Sequence, residues 1–293
     1  MKARTFWKKY RGTILLVLVF ITGLALMLYP SISNYWNTLH QTDAIASYME
    51  SVSAATGEAQ AAVLESAEEY NERLIVHRPG DKLSASEAAQ YESLLDPLGN
   101  GMMGYLEIPS IDCFLPIYHG TSDKVLHNAV GHVEWSSLPV GGKGSHCVLS
   151  GHRGMPSAKL LSELDQLQIG DHFTITVMQQ TITYEVDDIR VVEPQEVDSL
   201  QILPGEDLCT LVTCTPYGIN THRLLVRGRR TTNDPKRGNI HLVSEAIRIK
   251  KPLVAAGLFG IFFVLMMLWA LIDTVVSRVR KSRNERRSVP NRR

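Results

Sequence analysis

Two long apolar runs, one near each end of the chain, dominate the hydrophobic pattern. Residues 12–29 and 253–272 contain no charged side chain. A helix needs roughly 20 residues to cross a hydrocarbon core of about 30 Å, so the runs predict transmembrane helices at residues 12–29 and 253–274. A cleaved signal peptide is the alternative for the first run, since a basic start and Ser31-Ile32-Ser33 accompany it. A buried core helix is the alternative for the second run.

Between these runs the pattern changes at residue 104. Residues 30–103 contain helical patterns at 42–74 and 84–95, which predict helices packed on the following domain or a stalk that holds it off the membrane. Residues 104–230 are rich in short apolar and β-branched segments separated by turn signals. Strands are predicted at 105–108, 114–118, 146–150, 173–178, 181–192, 208–215 and 224–226, and helices at 124–128 and 157–167. So many short strands predict a mainly β fold, a closed or nearly closed barrel, followed by a linker at residues 231–252.

Basic residues cluster beside both apolar runs, in residues 1–11 and 275–293. The positive-inside rule therefore predicts a two-pass protein of the cell membrane, with both basic ends in the cytoplasm and the β domain outside. Over the whole chain Lys+Arg and Asp+Glu both number 30. With no net charge there is no global field that favours nucleic acid as a partner.

Four cysteines, at positions 113, 147, 209 and 214, show no C-x-x-C spacing. Neither the cysteines nor the scattered histidines predict a metal site, and no cofactor is expected. An exported domain can form disulfides, so a Cys113–Cys147 bridge is one prediction. Buried free thiols are the alternative, because free cysteine packs as a small hydrophobe.

Three residues with complementary chemistry, His152, Cys214 and Arg223, fall at predicted strand ends. The thiolate is the nucleophilic form of cysteine, and histidine can protonate a leaving amine and then act as a base. Arginine can stabilise a thiolate or an oxyanion, so the set suits two-step acyl transfer through a thioester. A lone cysteine on an apolar strand is more often a core residue, and the local sequence must decide between these interpretations. Ser150 and Thr213 flank this set and are candidates for substrate contact or for structural roles.

The local sequence around these residues resembles a known family. TLVTCTPY at 210–217 and NTHRLLVRG at 220–228 are similar to the signature of the sortases, most of all to the class C, pilin-polymerising branch. GYLEIP at 104–109, LPIYHGT at 115–121 and GHRGMPSAK at 151–159 are similar to that branch as well. The resemblance covers about residues 104–230, and class C members commonly carry a C-terminal membrane span.

This resemblance implies an eight-stranded sortase-type barrel with His152, Cys214 and Arg223 as the catalytic triad. The implied reaction cleaves a Leu-Pro-x-Thr-Gly-like sorting signal between Thr and Gly and leaves an acyl-enzyme on Cys214. The implied partners are surface proteins or pilins that bear the signal and an amine acceptor, either a pilin lysine or a cell-wall precursor. Two other classes compete: a papain-like hydrolase, whose Cys normally precedes its His, and a non-catalytic β domain that binds pilins.

Class C sortases typically cover their cleft with a lid that carries an Asp-Pro-aromatic motif. The corresponding position here is Arg78-Pro79-Gly80, which has neither the acid nor the aromatic residue. Asp96-Pro97-Leu98 matches in part, but it lies close to the first strand and reads as a turn leading into it. The sequence therefore predicts an open or differently plugged cleft.

Overall fold

The computed structural model describes residues 2–75, 77–232, 260 and 263. The second predicted transmembrane helix, most of the linker before it and the basic tail lie outside the described residues, apart from positions 260 and 263. All elements named below belong to one compact unit, Met1–Ile240.

The N-terminal part of the chain is helical. Helix α1 is Lys2–Ala54, α2 is Gly57–Leu74 and α3 is Ala85–Ser93. Among the described residues one helical stretch, Leu15–Ala54, is long and apolar enough to cross a membrane, a test that a signal sequence also passes. The ends of the shorter helices follow ordinary capping rules: Thr56 caps α2, and Ser84 forms a capping box with Glu87 at the start of α3.

These helices pack on the barrel and do not form an isolated stalk. Tyr48 of α1, which is 1% exposed, donates its hydroxyl hydrogen to the carbonyl of Met103 at 2.8 Å. Asn71 of α2 exchanges hydrogen bonds with the backbone of Leu138. The Tyr91 hydroxyl of α3 lies 3.0 Å from Nδ1 of His132. Each helix therefore contributes a buried polar side chain that fixes it to the β domain.

Eight strands close into a barrel, which confirms the predicted fold class. The strands are β1 Met102–Ile108, β2 Cys113–His119, β3 Val130–His132, β4 Ser145–Ser150, β5 His172–Val177, β6 Gln180–Val192, β7 Asp207–Thr215 and β8 His222–Arg230. Their order around the barrel is β1-β2-β3-β4-β7-β8-β6-β5. Helix α4, Asp123–Leu126, lies between β2 and β3 in the chain. The β4–β7 pair is parallel, so the carboxyl ends of these two strands meet at one edge of the barrel.

Two predicted features differ from the structure. The helix predicted at 157–167 is wrong: this segment is made of turns with a short 3₁₀ helix, Leu164–Gln166. Its leucines are spaced like those of an amphipathic helix, but Leu160 has a left-handed backbone (φ 41°) that no α-helix accommodates. Strand β3 was not predicted, because three fully buried residues are too few to show an alternating pattern.

The predicted Cys113–Cys147 disulfide is not formed. Cys113, Cys147 and Cys209 are buried free thiols, as the alternative prediction had it. Cys113 begins β2, whereas Cys147 lies in β4 and is separated from it by β3. The residue opposite Cys147 in the parallel ladder is Cys209 of β7.

A buried histidine makes the stability of the barrel depend on pH. His146 has no exposed surface, its Nδ1 lies 2.8 Å from the carbonyl oxygen of Gln201, and its Nε2 lies 2.7 Å from the Thr210 hydroxyl. A neutral ring satisfies both contacts, with Nδ1 donating and Nε2 accepting. Burial, the largest cause, lowers the pKa of His146 to about 4.

We expect acidification to destabilise the fold through His146. The unfolded chain binds a proton near pH 6.5 and the folded chain only near the lower pKa, so stability is present above about pH 6.5 and is lost as the pH falls towards 4. The full loss is about 3 kcal/mol in the free energy of unfolding. Urea unfolding of wild type and His146→Gln between pH 7 and pH 4 tests this. The variant should show a flatter dependence than wild type and than a His40→Gln control, and equal slopes would contradict the assignment.

Candidate active site

The two strand ends at the parallel β4–β7 edge bring the candidate residues together. Ser150 of β4 lies opposite Val212 of β7, and the Gly151 amide donates to the Val212 carbonyl at 3.0 Å. The loop that carries His152 therefore runs alongside the last residues of β7, where Cys214 lies. Across the antiparallel β7–β8 pair, Cys214 is directly opposite Arg223.

Strand alternation gives these residues a common face. Leu149, Leu211 and Val226 point into the barrel and are fully buried. The residues next to each of them point outwards, because successive side chains of a strand lie on opposite faces. Val212 and Cys214 share this outer face of β7, Arg223 and Leu225 share it on β8, and Ser150 lies on the same face of β4. Cys214 and Arg223 are both half-buried on this outer face.

An apolar groove of about 250 Å³ runs over this outer face. Ser150, Val212 and Arg223 line it. Its remaining wall comes from the segments around α4, β3, β4, the β6–β7 connection and β8, namely Thr121, Leu126, Val133, Trp135, Val148, Val192, Glu193, Pro194, Glu196, Val197, Leu200 and Leu225. Arg223, opposite Cys214 in the sheet, therefore lines the groove, whereas Cys214 and His152 are not among its lining residues.

Of the two further candidates, Ser150 lies at the groove and Thr213 does not line it. Thr213 is 2% exposed, and its hydroxyl donates to the Gly151 carbonyl at 2.8 Å. This bond holds the loop of His152 against β7. The position of Thr213 thus fits a structural role, which was the alternative to substrate contact. Its side chain points into the barrel, as expected for a residue between two residues whose side chains point outwards.

His152 lies beside a second histidine. The rings of His127 and His152 are perpendicular, with their centroids 6.1 Å apart. Partial burial and then the neighbouring His127 lower the pKa of His152, and Asp123 opposes this shift. The environment therefore favours the neutral imidazole, the form that accepts a proton.

Arg223 is oriented by its own strand and turn. Its Nη1 donates to the carbonyls of His222 at 3.1 Å and Asn220 at 3.3 Å. Asn220 has a positive φ of 62°, which reverses the chain before β8. The guanidinium is thus held at the groove beside the end of β7, where it can reach an oxygen that becomes negative during acyl transfer.

Arg153, for which the sequence predicted no role, joins the two halves of the site. One Nη donates to the Thr215 hydroxyl at 3.1 Å, and the other forms an ion pair with Asp165 at 2.5 Å. The guanidinium carbon lies 5.9 Å from the centre of the Tyr217 ring. Arg153 follows His152, and Thr215 follows Cys214, so this contact connects their loops. The adjacency of Arg153 to His152 in the chain was the one available signal.

The segment around Arg78-Pro79-Gly80, which corresponds in position to the lid of class C sortases, lies against α3. The Arg78 amide donates to Asp81 at 2.9 Å, and His77 lies 3.3 Å from Glu87. A side chain added at Gly144, just before β4, would meet Ile75 at 3.6 Å. Gly144 precedes the amino end of β4, whereas Cys214 is near the carboxyl end of the neighbouring parallel strand, roughly 25 Å away. Within the described part of this segment, no hydrogen bond or ion pair reaches the cleft.

We expect Cys214 to be the one thiol that reacts in the folded protein. The other three cysteines are buried, and the thiol of Cys214 is half-exposed. Iodoacetamide labelling followed by peptide mapping should modify Cys214 alone, and all four cysteines after unfolding. Replacing residues 78–81 with Gly and Ser keeps the Ser84 cap and should change the rate by less than about twofold, because access to the thiol is unaltered. A large acceleration would contradict the open cleft and identify this segment as a lid.

Known proteins share both this sequence and this fold. A family model described as the sortase domain matches residues 106–231. The sequence is 47% identical to that of sortase C1 from Streptococcus agalactiae, for which there is a crystal structure. The TM-score between the two structures is 0.64, and the match covers 66% of this chain and 100% of that one. The chain is 39% identical to sortase C from Streptococcus pneumoniae, with a TM-score of 0.58, over 65% of this chain and 97% of that one.

A further relative is matched by its sequence. Sortase D from Bacillus subtilis (strain 168) is 29% identical over 156 residues, which cover 52% of this chain and 75% of the relative. The two solved structures both carry the designation sortase C, and each is matched over nearly its whole length. Together with the closed barrel and the shared face of Cys214 and Arg223, these matches place the chain: it belongs to the sortase family of cysteine transpeptidases.

Proposed function

We propose that this sortase cleaves a Leu-Pro-x-Thr-Gly-like sorting signal between Thr and Gly and transfers the new carboxyl end to an amine. The observation that carries the proposal is the placement of Cys214 opposite Arg223, with the loop of His152 bonded alongside β7 and with Arg223 lining an apolar groove. An acyl transferase needs a nucleophile, a proton carrier and an oxyanion partner at one point of a peptide-sized cleft.

The first half-reaction forms a thioester. The Cys214 thiolate attacks the carbonyl carbon of the signal's Thr, and the carbonyl oxygen becomes an oxyanion that Arg223 stabilises. The imidazolium of His152 gives its proton to the Gly nitrogen as the Thr–Gly bond breaks. The products are a thioester on Cys214 and a free amine that leaves.

The second half-reaction transfers the acyl group to the acceptor. Neutral His152, which the lowered pKa of this residue favours, takes a proton from the incoming amine. The amine nitrogen attacks the thioester, the C–S bond breaks, and the Cys214 thiolate is regenerated. With a lysine as acceptor, the new bond is an isopeptide.

The apolar lining of the groove suits the first two residues of such a signal, Leu and Pro. Val148, Leu200 and Leu225 form an apolar cluster on the outside of the barrel, and Trp135 packs against it. An apolar floor of this kind suits the Leu and Pro side chains of the signal. Ser150 lies at the groove and provides a hydroxyl for its backbone.

A pilin lysine is the acceptor that we propose. The matched sortase C structure from Streptococcus pneumoniae is described as giving insight into pilin substrate specificity. A cell-wall precursor amine is the competing acceptor. We further propose a two-pass membrane protein with the catalytic barrel outside, since α1 carries a stretch that is long and apolar enough to span the membrane.

The proposal is tested by incubating the full chain with a sorting-signal peptide and measuring intact mass. An adduct at Cys214 with the mass of the peptide up to Thr is expected. A pilin-derived lysine peptide and a cell-wall precursor amine are then supplied together, and the product ratio identifies the acceptor. The absence of any adduct over a range of pH and acceptors would favour a non-catalytic binding domain.

Arg153 is expected to act as a positioning residue for this chemistry. Arg153→Ala removes the bond to Thr215 and the ion pair with Asp165, so the loops of His152 and Cys214 separate more easily. A misplacement of this kind lowers kcat by about tenfold to a hundredfold and leaves KM nearly unchanged. Arg153→Lys should restore part of the loss. Arg190→Ala, which removes an exposed ion pair with Asp188, is the matched control, and an equal effect there would refute the positioning role.

A further inference from the structure

The part of α1 beyond the predicted span has an unusual surface. Residues 12–42 contain no Asp, Glu, Lys or Arg, although the apolar run ends at Tyr29. A helix of that length extends about 46 Å, which is close to the thickness of a bilayer with its headgroup layers and longer than the hydrocarbon core. The charge-free stretch continues about 20 Å beyond the apolar run, far enough to pass through the outer headgroup layer.

Exposed aromatic and aliphatic side chains cover this extra length. We call them the collar: Tyr29, Ile32, Tyr35, Trp36 and Leu39, each between 42% and 66% exposed. Tyr and Trp are enriched at the membrane–water interface, because their rings are apolar and their tips are polar. A collar of this composition, continuous with the apolar run, fits a lipid headgroup layer.

The opposite face of the same helix segment holds the active-site loops. The amide of Lys159 donates to Oδ1 of Asn34 at 2.6 Å, and Nδ2 of Asn37 donates to the Ser157 carbonyl at 2.8 Å. One turn further, Nε2 of Gln41 donates to the Asn128 carbonyl at 2.7 Å. Spacings of three and four residues place these three side chains on one face of the helix.

The segments that these side chains hold lie on both sides of His152. Ser157 and Lys159 belong to the loop that leaves His152 and Arg153. Asn128 follows His127, whose ring contacts that of His152. Further along the same face, Ile45 and Tyr48 are 1% exposed and anchor α1 in the core. The helix is therefore fixed to the active-site loops at one end and to the barrel at the other.

The rise per residue of the helix gives the distance between these contacts and the end of the apolar run. Asn34 is five residues beyond Tyr29, which corresponds to about 8 Å along the axis. We propose that the collar lies in the outer headgroup layer and that Asn34, Asn37 and Gln41 hold the catalytic cleft at the membrane surface. The cleft then works on substrates tethered in the same membrane. The functional consequence rests on the proposed sortase activity, whereas the lipid contact does not.

The depth of the collar is measured without catalysis. In the full-length Cys214→Ala chain, whose other cysteines are buried, Ile32→Cys and Met49→Cys are labelled with a nitroxide in phosphatidylglycerol–phosphatidylcholine vesicles. Met49 is 51% exposed on the same helix, and it lies about 25 Å further from the span. The label at position 32 should collide with oxygen more than with a water-soluble nickel chelate, and the label at 49 should do the reverse. Equal nickel accessibility at both sites would overturn the proposal.

The distance of the catalytic cleft from the membrane is tested by a helical insertion of seven residues between Tyr29 and Pro30. This insertion raises the barrel by about 10 Å and turns it by only about 20°. Cleavage of a free signal peptide should be unchanged, whereas cleavage of a vesicle-tethered signal on a short tether should fall by about tenfold, because its effective concentration at the cleft drops. A flexible Gly/Ser heptad at the same place is the matched control and should lose less. A longer substrate tether should restore the rate.

The outcomes separate the two proposals. If the wild type cleaves neither substrate, the sortase function fails while the nitroxide result still decides the lipid contact. If wild type and the helical-insertion variant cleave the tethered signal equally, the sortase function stands and the membrane-surface placement is refuted.

Discussion

Cys214→Ala is expected to lose sorting-signal cleavage by at least about a thousandfold, the largest effect of any single substitution in this chain. No other thiol can replace it, because Cys113, Cys147 and Cys209 are buried. The substitution removes a half-exposed sulfur at a strand end, so the fold should be retained. Loss of activity would thus report the chemistry and not the stability.

The measurement is cleavage of a quenched signal peptide together with thermal unfolding of the same sample. Cys209→Ala is the matched control: this thiol is 0% exposed on the opposite face of β7, and its loss should lower stability by about 1 kcal/mol while cleavage continues. Residual cleavage by Cys214→Ala near the wild-type rate would contradict the assignment of the nucleophile.

Arg223→Ala is expected to lower kcat for the signal peptide by about a hundredfold to a thousandfold, the range for removal of one oxyanion partner. The guanidinium lines the groove and lies opposite Cys214 in the sheet, so it is placed for the developing charge. Its two hydrogen bonds go to backbone carbonyls of its own turn. Arg223 is half-buried and forms no ion pair within the described part of the chain, so its loss should change stability little.

Arg223→Lys separates charge from geometry. Lysine keeps the positive charge but lacks the planar fork, so partial recovery is expected. Arg229→Ala on the same strand is the control, because Arg229 pairs with Asp187 and Glu206 away from the groove. The acyl-enzyme should form more slowly in a single turnover of Arg223→Ala. If the loss lay in KM alone, Arg223 would be a binding residue without a role in the transition state.

Much of the fold could be predicted from the sequence. The hairpin between β5 and β6 turns at Met178 and Gln179, both with positive φ, close to the gap between the strands predicted at 173–178 and 181–192. Alternation and β-branched residues predicted seven of the eight strands. These features depend on neighbours in sequence, so local physical chemistry suffices to find them.

The candidate active site could be predicted in part from the sequence, for the same reason. The motif around Cys214 and Arg223 lies within one hairpin, and the motif around His152 is contiguous, so the three residues could be named from the chain. The role of Arg153 was not readable, because Thr215 and Asp165 come from distant positions. The same holds for Asn34, Asn37 and Gln41, which looked like ordinary polar residues of a helix.

The sequence by itself therefore determined the apolar runs and most strands, and it named the residues that we propose carry the chemistry. Only the tertiary structure decided that β4 and β7 run parallel, which brings the loop of His152 alongside the end of β7, and that the segment around Pro79 lies against α3. It also decided that α1 holds the active-site loops. Each of these depends on pairing between residues far apart in the chain, and such pairing is set by the burial of the whole barrel, not by any local pattern.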